Sequence, residues 1–237
     1  MEMIKTKGIV ISQTPFREND RLLTVFTDDR GTINVSAKGA ASRHNNLKAA
    51  TRVFCYSSFV LYDKKSSYYT IAEASPIESF IGLSRDIERL EVATAMLRFI
   101  KHTAVENVES NEALRLLLNS LYMLSETDKN TELIKCIFYL KNLVFMGLPP
   151  VTGECAVCGA KNELTAFLPQ AGGVICAECA ADEKESIGLS YYAERLMHYI
   201  IFAPYKKLFG ISAEEKLYSE TLKMVGLFIS EHLGFNI

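Results

Sequence analysis

Apolar and polar positions alternate along the first 75 or so residues and take up a helical period after about residue 80. The chain therefore reads as a strand-rich head followed by a helical body. Residues 7–12 hold Ile9, Val10 and Ile11, and residues 21–27 hold Leu22, Leu23, Val25 and Phe26. Residues 32–37 alternate Ile33 and Val35 with small polar residues. Residues 53–62 and 68–72 are rich in aromatic and β-branched side chains, which suit a pleated, half-buried surface. Asp28, Asp29, Arg30 and Gly31 form one turn, and residues 63–67 another. Five short strands in so short a stretch favour closure into a small barrel, because closure removes exposed edges. The five-stranded member of that group is the oligonucleotide-binding (OB) barrel.

In the body, Leu83, Ile87, Leu90, Thr94 and Leu97 follow helical spacing, with Ser84 as the expected cap and Asp86 and Glu88 in the first turn. Ser110 opens a second helix through Leu114, Leu117, Leu118 and Leu121. A third, over 130–146, carries the stripe Leu133, Ile137, Leu140 and Val144. Ile134, Phe138 and Phe145 add apolar residues on other faces, which places it at the centre of a bundle. Gly147 and Pro149–Pro150 stop it. Later, Ser190 caps a helix through Leu196 and Ile200. Ser212 and Glu215 read as a capping box before Leu217, Leu222, Val225, Phe228 and Ile229. The fold expected is α+β and multidomain: an OB-type barrel over 1–78, a helical domain over 79–150 and 181–237, and a cysteine insert over 151–180.

That insert carries the most specific chemistry. Cys155-Ala156-Val157-Cys158 and Cys176-Ala177-Glu178-Cys179 are two C-x2-C pairs separated by 17 residues, the spacing of a four-cysteine zinc site. Two intervening residues let one tight turn aim both sulfurs at one ion, and two such turns supply a tetrahedron of thiolates. Gly159 permits a positive φ after the first knuckle, and Phe167 with Gly172–Gly173 suits a ribbon hairpin. The competing reading is a redox C-x-x-C. It requires a pair at a helix start within a βαβ unit, a setting expected of neither pair. Four cysteines close the coordination shell, whereas a catalytic zinc keeps an open position, so the ion reads as structural Zn2+.

Charge divides the chain. The net is −2, yet residues 1–65 carry 11 Lys/Arg against 6 Asp/Glu, and the remainder carries 15 against 22. A basic head points to an anionic partner, most often nucleic acid. Lys38, Arg43, Lys48 and Arg52 lie between the third and fourth strands, and no acid occurs between Gly31 and Asp63. Basic residues among small neighbours can follow a phosphate backbone and release counterions; they can equally be a solvated surface loop. Phe16, Tyr56, Tyr68 and Tyr69 are candidates for base stacking or for barrel core. Residues 151–189 hold Lys161 and Lys184 against six acids, so the ribbon should brace the body and not grip DNA.

No Walker loop, H-E-x-x-H or G-x-S-x-G occurs, and no paired carboxylate motif stands out, so the reading is non-enzymatic. The longest run without a charge, 164–177, is 14 residues and broken by Pro169 and two glycines; a spanning helix needs about 20. The apolar stretch Gly8–Ile11 is too short for a secretory core. A soluble, cytoplasmic protein is expected.

The order of these parts resembles the RecO family of bacterial DNA repair and recombination proteins. The resemblance is carried by Gly8-Ile9-Val10-Ile11, the run from Arg17 to Thr27, Gly31, and Ala37-Lys38-Gly39. It continues through Phe138-Tyr139-Leu140-Lys141-Asn142-Leu143, Gly147-Leu148-Pro149, Cys155-x-x-Cys158-Gly159, Phe167, Gly172-Gly173 and Cys176-x-x-Cys179. The connection after Gly39 is less densely basic than the family's. The resemblance implies binding of single- and double-stranded DNA and annealing of complementary strands. It also implies action with RecR in loading RecA onto DNA coated by single-strand binding protein, whose acidic tail the helical domain contacts. Two rival readings are a zinc-ribbon interaction module whose barrel binds RNA or protein, and an enzyme with an unrecognised site.

Overall fold

The structure, a computed structural model, describes residues 2–40, 42, 47–63 and 67–237. The strands are β1 (Glu2–Phe16), β2 (Asp20–Thr27), β3 (Gly31–Ala37), β4 (Tyr56–Asp63) and β5 (Tyr69–Glu78), with a single helical turn, α1 (Leu47–Ala50), between β3 and β4. They close into a barrel in the order β1-β2-β3-β5-β4, with β1 also paired to β4. All pairings are antiparallel except β3 with β5, where Val35 faces Tyr69 and Ser36 faces Thr70.

Closure depends on the length of β1. Its first half, Glu2 to Ile9, pairs with β4, and its second half, from Gly8 to Phe16, pairs with β2. The register shifts between Val10 and Ser12, a bulge that bends one strand across two neighbours. The alternation read from the sequence now has its cause. Val10, Leu23, Val25, Ile33, Val35, Phe59, Leu61 and Ile71 point inward to a single core cluster. Each of these buried side chains contributes roughly 1.5–3 kcal/mol through removal from water.

Contacts divide the chain into two compact units, 1–127 and 128–237. Division by secondary structure alone would begin a helical domain at 79, but α2 (Ile87–Thr103) and α3 (Asn111–Glu126) cluster with the barrel. The loop between them docks on the β2–β3 turn: the Asn107 N–H donates to Arg30 O at 2.9 Å and the Ser110 N–H to Asp28 O at 2.9 Å.

Two details of α2 correct the sequence reading. Its cap is Asp86, whose Oδ1 accepts from the N–H groups of Glu88 (2.9 Å) and Arg89 (3.3 Å), and not Ser84, which lies inside a 3-10 turn spanning Ile81–Arg85. The buried row is Val92, Ala93, Met96, Leu97, Phe99 and Ile100, whereas Ile87, Leu90 and Thr94 are exposed. The 3-10 turn resets the helical phase after Leu83, so Ile87, Leu90 and Thr94 of the stripe extrapolated from it miss the buried face, although Leu97 lies on it.

In the second unit α4 (Thr131–Phe145) is central, as its sequence implied: ten consecutive or near-consecutive residues from Leu133 to Leu143 are buried. Asn130 caps it. Beside it lie α6 (Tyr191–Phe202), capped by Ser190, and α8 (Glu215–Leu233), with the short α7 (Tyr205–Leu208) between those two in the sequence. Lys141 on α4 is buried yet satisfied, donating to the last carbonyls of α6 at Ile201 (2.7 Å) and Ala203 (2.9 Å). Its charge also sits at the negative end of that helix. The expected box of Ser212 and Glu215 does not form. The helix starts at Glu215, which is too late for that residue to reach back as the third helical position, and the Tyr218 hydroxyl binds Ala213 instead. Among the described residues no helix is long and apolar enough to cross a membrane.

Candidate metal centre and nucleic-acid interface

The cysteine module is an antiparallel hairpin of β6 (Leu164–Leu168) and β7 (Gly173–Cys176), extended by β8 (Ile187–Gly188) and followed by the short helix α5 (Ala177–Asp182). The first knuckle is a turn. The Gly159 N–H closes on Cys155 O at 2.9 Å, and its φ of 77° is the left-handed conformation that glycine adopts without strain. The second knuckle differs from expectation, because Cys176 is the N-cap residue of α5 and Cys179 lies in its first turn. A helix start therefore exists at one pair. Its frame is a β-hairpin and not a βαβ unit, and the other pair faces it.

The four Sγ atoms of Cys155, Cys158, Cys176 and Cys179 lie within 4.8 Å of one another, and those of Cys158 and Cys176 are 3.7 Å apart. A disulfide requires about 2.05 Å. A tetrahedron of thiolates about 2.3 Å from an ion requires sulfurs about 3.8 Å apart. The residues present therefore fit a closed four-sulfur metal site. The electrostatics agree. Burial pushes the Cys155 thiol up, but the N–H groups of Cys158, Cys176 and Val157, together with the Cys158 thiol, outweigh it and bring Cys155 down to about 6. Cys179 is held above the usual thiol range by the neighbouring Cys158 and Cys176 sulfurs. Cys179 thus keeps its proton until a divalent cation displaces it. The other two cysteines behave oppositely. Burial, then Glu132, pushes Cys136 up to about 12, and burial also raises Cys55, so both are inert core thiols.

The module is too small to stand unaided. Its core comprises Ala166, Leu168, Ile175 and two cysteines, with mostly alanines around them. A segment under about 40 residues ordinarily needs a metal or a disulfide. Hydrogen bonds tie it to the helices of its own unit. Glu194 of α6 is buried and accepts from the Gly153 N–H at 2.9 Å. His198 Nδ1 lies 3.1 Å from Thr152 Oγ1, and His232 Nε2 of α8 lies 2.8 Å from Pro169 O. His198 and His232 are thus anchors for the ribbon.

The basic positions on the barrel sort less evenly. Lys38 is exposed in the turn after β3, where the neighbouring Gly39 N–H donates to Asp20 Oδ1 at 2.8 Å. Lys48 and Arg52 are exposed on and just after α1, whose turn is held by the Thr51 hydroxyl on Leu47 O at 2.8 Å. Arg43 lies outside the described residues. Of the aromatic candidates, Tyr69 packs against the barrel core and Tyr56 is half buried, but Phe16 and Tyr68 meet edge to face with ring centroids 6.3 Å apart. The Arg17 guanidinium lies 5.3 Å from the Phe16 ring centroid. Arg17 and Arg21 were not singled out from sequence as contact residues, and only their place in the run from Arg17 to Thr27 pointed to them.

A closed five-stranded barrel with a basic connection, joined in one chain to a four-cysteine ribbon, defines a class of OB-barrel proteins with a cysteine cluster able to hold a metal ion. Comparison with known proteins agrees. Residues 1–80 match the family model described as Recombination protein O N terminal, and residues 84–237 match Recombination protein O C terminal. The DNA repair protein RecO of Acetivibrio thermocellus is 34% identical over all of this chain and 94% of its own length. That of Caldicellulosiruptor bescii is 36% identical over 92% of this chain and 88% of its own length. That of Alkaliphilus metalliredigens is 30% identical over 98% of this chain and 94% of its own. The chain belongs to the RecO family of DNA repair proteins.

Proposed function

We propose that this chain is a non-enzymatic, DNA-binding mediator of recombinational repair working in the cytoplasm. It binds single- and double-stranded DNA and anneals complementary strands. With RecR it helps place RecA on DNA coated by single-strand binding protein, contacting the acidic tail of that coat through its helical domain. The observation that carries the DNA-binding part is the β3–β4 connection, where Lys38, Lys48 and Arg52 are exposed on a barrel stretch free of acid from Gly31 to Asp63. Arg43 joins them by its place in the sequence. Annealing requires no covalent chemistry. Cationic side chains offset the repulsion between two phosphate backbones while base pairing supplies the drive, so the contacts should be salt-sensitive.

The ion held by Cys155, Cys158, Cys176 and Cys179 is Zn2+, bound by four thiolates with no open position, and its contribution is to hold the ribbon folded against α6 and α8. With an excess of four acids over bases across 151–189, the ribbon itself repels phosphate. The direct test is annealing of complementary oligonucleotides by the purified full chain at rising salt. Acceleration at low ionic strength that fades as salt increases supports the reading, and no acceleration at any salt refutes it.

A further inference from the structure

We propose that Cys158 and Cys176 are a peroxide-sensitive thiol pair: oxidation joins them in a disulfide across the two knuckles, expels the metal ion, and leaves the ribbon stapled by a sulfur–sulfur bond. This goes beyond the DNA-binding reading and rests on the metal reading of the four cysteines. Three observations carry it. The first is access. Cys158 is exposed and Cys179 half buried, whereas Cys155 and Cys176 are 3% and 4% exposed, so a small oxidant in solution meets Cys158 first. The second is proximity. The Cys158 and Cys176 sulfurs belong to different knuckles and lie 3.7 Å apart, so they need to close by roughly 1.7 Å to reach the length of a disulfide. The third is charge. Residues 151–189 hold Lys161 and Lys184 against six acids, and two of these, Glu154 and Glu178, adjoin the cysteines. That field repels anionic oxidants and leaves a neutral peroxide unhindered. A redox-sensing cysteine is ionised, exposed and next to a second thiol that resolves it. Cys158 meets these conditions as a metal-bound thiolate. The remaining thiols, Cys55 and Cys136, are 1% and 0% exposed and out of reach.

The chemistry balances with one peroxide per chain. The Cys158 thiolate attacks one peroxide oxygen, the O–O bond breaks, hydroxide leaves, and Cys158 becomes a sulfenic acid. The Cys176 thiolate then attacks the Cys158 sulfur, forms the S–S bond and expels a second hydroxide. The two sulfurs lose two electrons and the peroxide gains them. Cys155 and Cys179 alone no longer close a four-sulfur shell, so the ion is released. The new bond closes a loop of 17 residues, Gly159 to Ile175. A crosslink around such a loop restricts the unfolded chain, and a disulfide is the other staple a module of this size can use. The bonds of the ribbon to Glu194, His198 and His232 therefore survive loss of the ion. A dithiol reductant reopens the pair and returns four sulfurs to the metal.

The test treats the full, metal-loaded chain with hydrogen peroxide. Released metal is read with a chromophoric chelator, and peptides are mapped by mass spectrometry after free thiols are blocked. Trypsin cuts after Lys141, Lys161 and Lys184, so Cys155 and Cys158 fall on peptide 142–161 and Cys176 and Cys179 on peptide 162–184. A disulfide across the knuckles links the two peptides, whereas one within either pair leaves them separate. The expected result is loss of the ion in step with linked peptides, fragmentation that places the bond at Cys158 and Cys176, and blocked, unoxidised Cys55 and Cys136. Dithiothreitol with added Zn2+ should restore the metal content. The oxidised, metal-free chain should melt within about 5 °C of the loaded chain, and the reduced, metal-free chain about 12 °C or more below it. Peptides that stay separate, oxidation of Cys55 or Cys136 ahead of Cys158, or an ion that stays bound under peroxide overturns the thiol pair. An oxidised chain that melts as low as the reduced, metal-free one overturns the stapling. A chain with all thiols reduced that takes up no metal overturns the metal reading itself.

Discussion

Replacing Cys158 by serine separates bracing by the ion from every other contribution of the ribbon. Cys158 is exposed, so the substitution removes a metal ligand without opening a cavity in the core. Three bonds hold the ribbon to its helices: Gly153 to Glu194 at 2.9 Å, Thr152 to His198 at 3.1 Å, and Pro169 to His232 at 2.8 Å. If the ribbon loses its shape with its ion, these bonds go with it. At about 1 kcal/mol each they sum to about 3 kcal/mol. For a unit of roughly 100 residues that corresponds to a fall in Tm of about 12 °C or more. Scanning calorimetry on the metal-loaded parent and on Cys158→Ser reads the shift. Limited proteolysis should locate new cleavage within 151–180. DNA affinity at fixed salt should change by less than about twofold, because the ribbon is net acidic and is proposed to make no phosphate contact. An unchanged Tm in a variant shown to have lost its metal would refute the bracing argument. A parallel collapse of DNA affinity in a variant whose barrel remains folded would refute the division of labour.

Other consequences can be checked independently. Gly31→Ala should destabilise the first unit by more than about 2 kcal/mol in urea unfolding, because a Cβ there would lie 2.0 Å from the Val105 carbonyl oxygen and the position has a φ of 58°. A change within about 0.5 kcal/mol would show that the α2–α3 loop yields freely. Metal retention should decline on acidification, because protons compete with the ion for the four thiolates. Measuring bound metal across a pH series tests this, and retention that is flat to pH 4 contradicts it.

What could be read from sequence was local or periodic. The barrel strands announced themselves because Ile33, Val35 and Ala37 alternate with the same period as the pleat, and their inward faces form the core. The metal site was legible because each C-x2-C pair sets the position of two sulfurs within one turn, leaving only the meeting of the two pairs to tertiary structure. The first part of the α2 stripe failed because the 3-10 turn at Ile81–Arg85 shifts the helical phase, and nothing in the order of Leu83, Ile87 and Leu90 signals that shift. The cap assignment failed there too, since Ser84, bonded to Ile81 O at 2.8 Å, and Asp86 are both good capping residues and only the backbone path chooses between them. The grouping of α2 and α3 with the barrel rests on main-chain hydrogen bonds to Asp28 and Arg30, which carry no side-chain signature. The meeting of Phe16 with Tyr68 is likewise a product of closure, because one residue ends β1 and the other precedes β5, far apart in the chain.

The most direct measurement is the salt dependence of single-strand binding by the parent chain and by a variant with Lys38, Arg43, Lys48 and Arg52 all replaced by alanine. Each phosphate contact on a single strand contributes about 0.7 to the slope of log affinity against log salt, so removing four should flatten it by about 3. A quadruple variant that is folded and metal-loaded yet has the parent's slope would contradict the placement of the DNA on this face of the barrel.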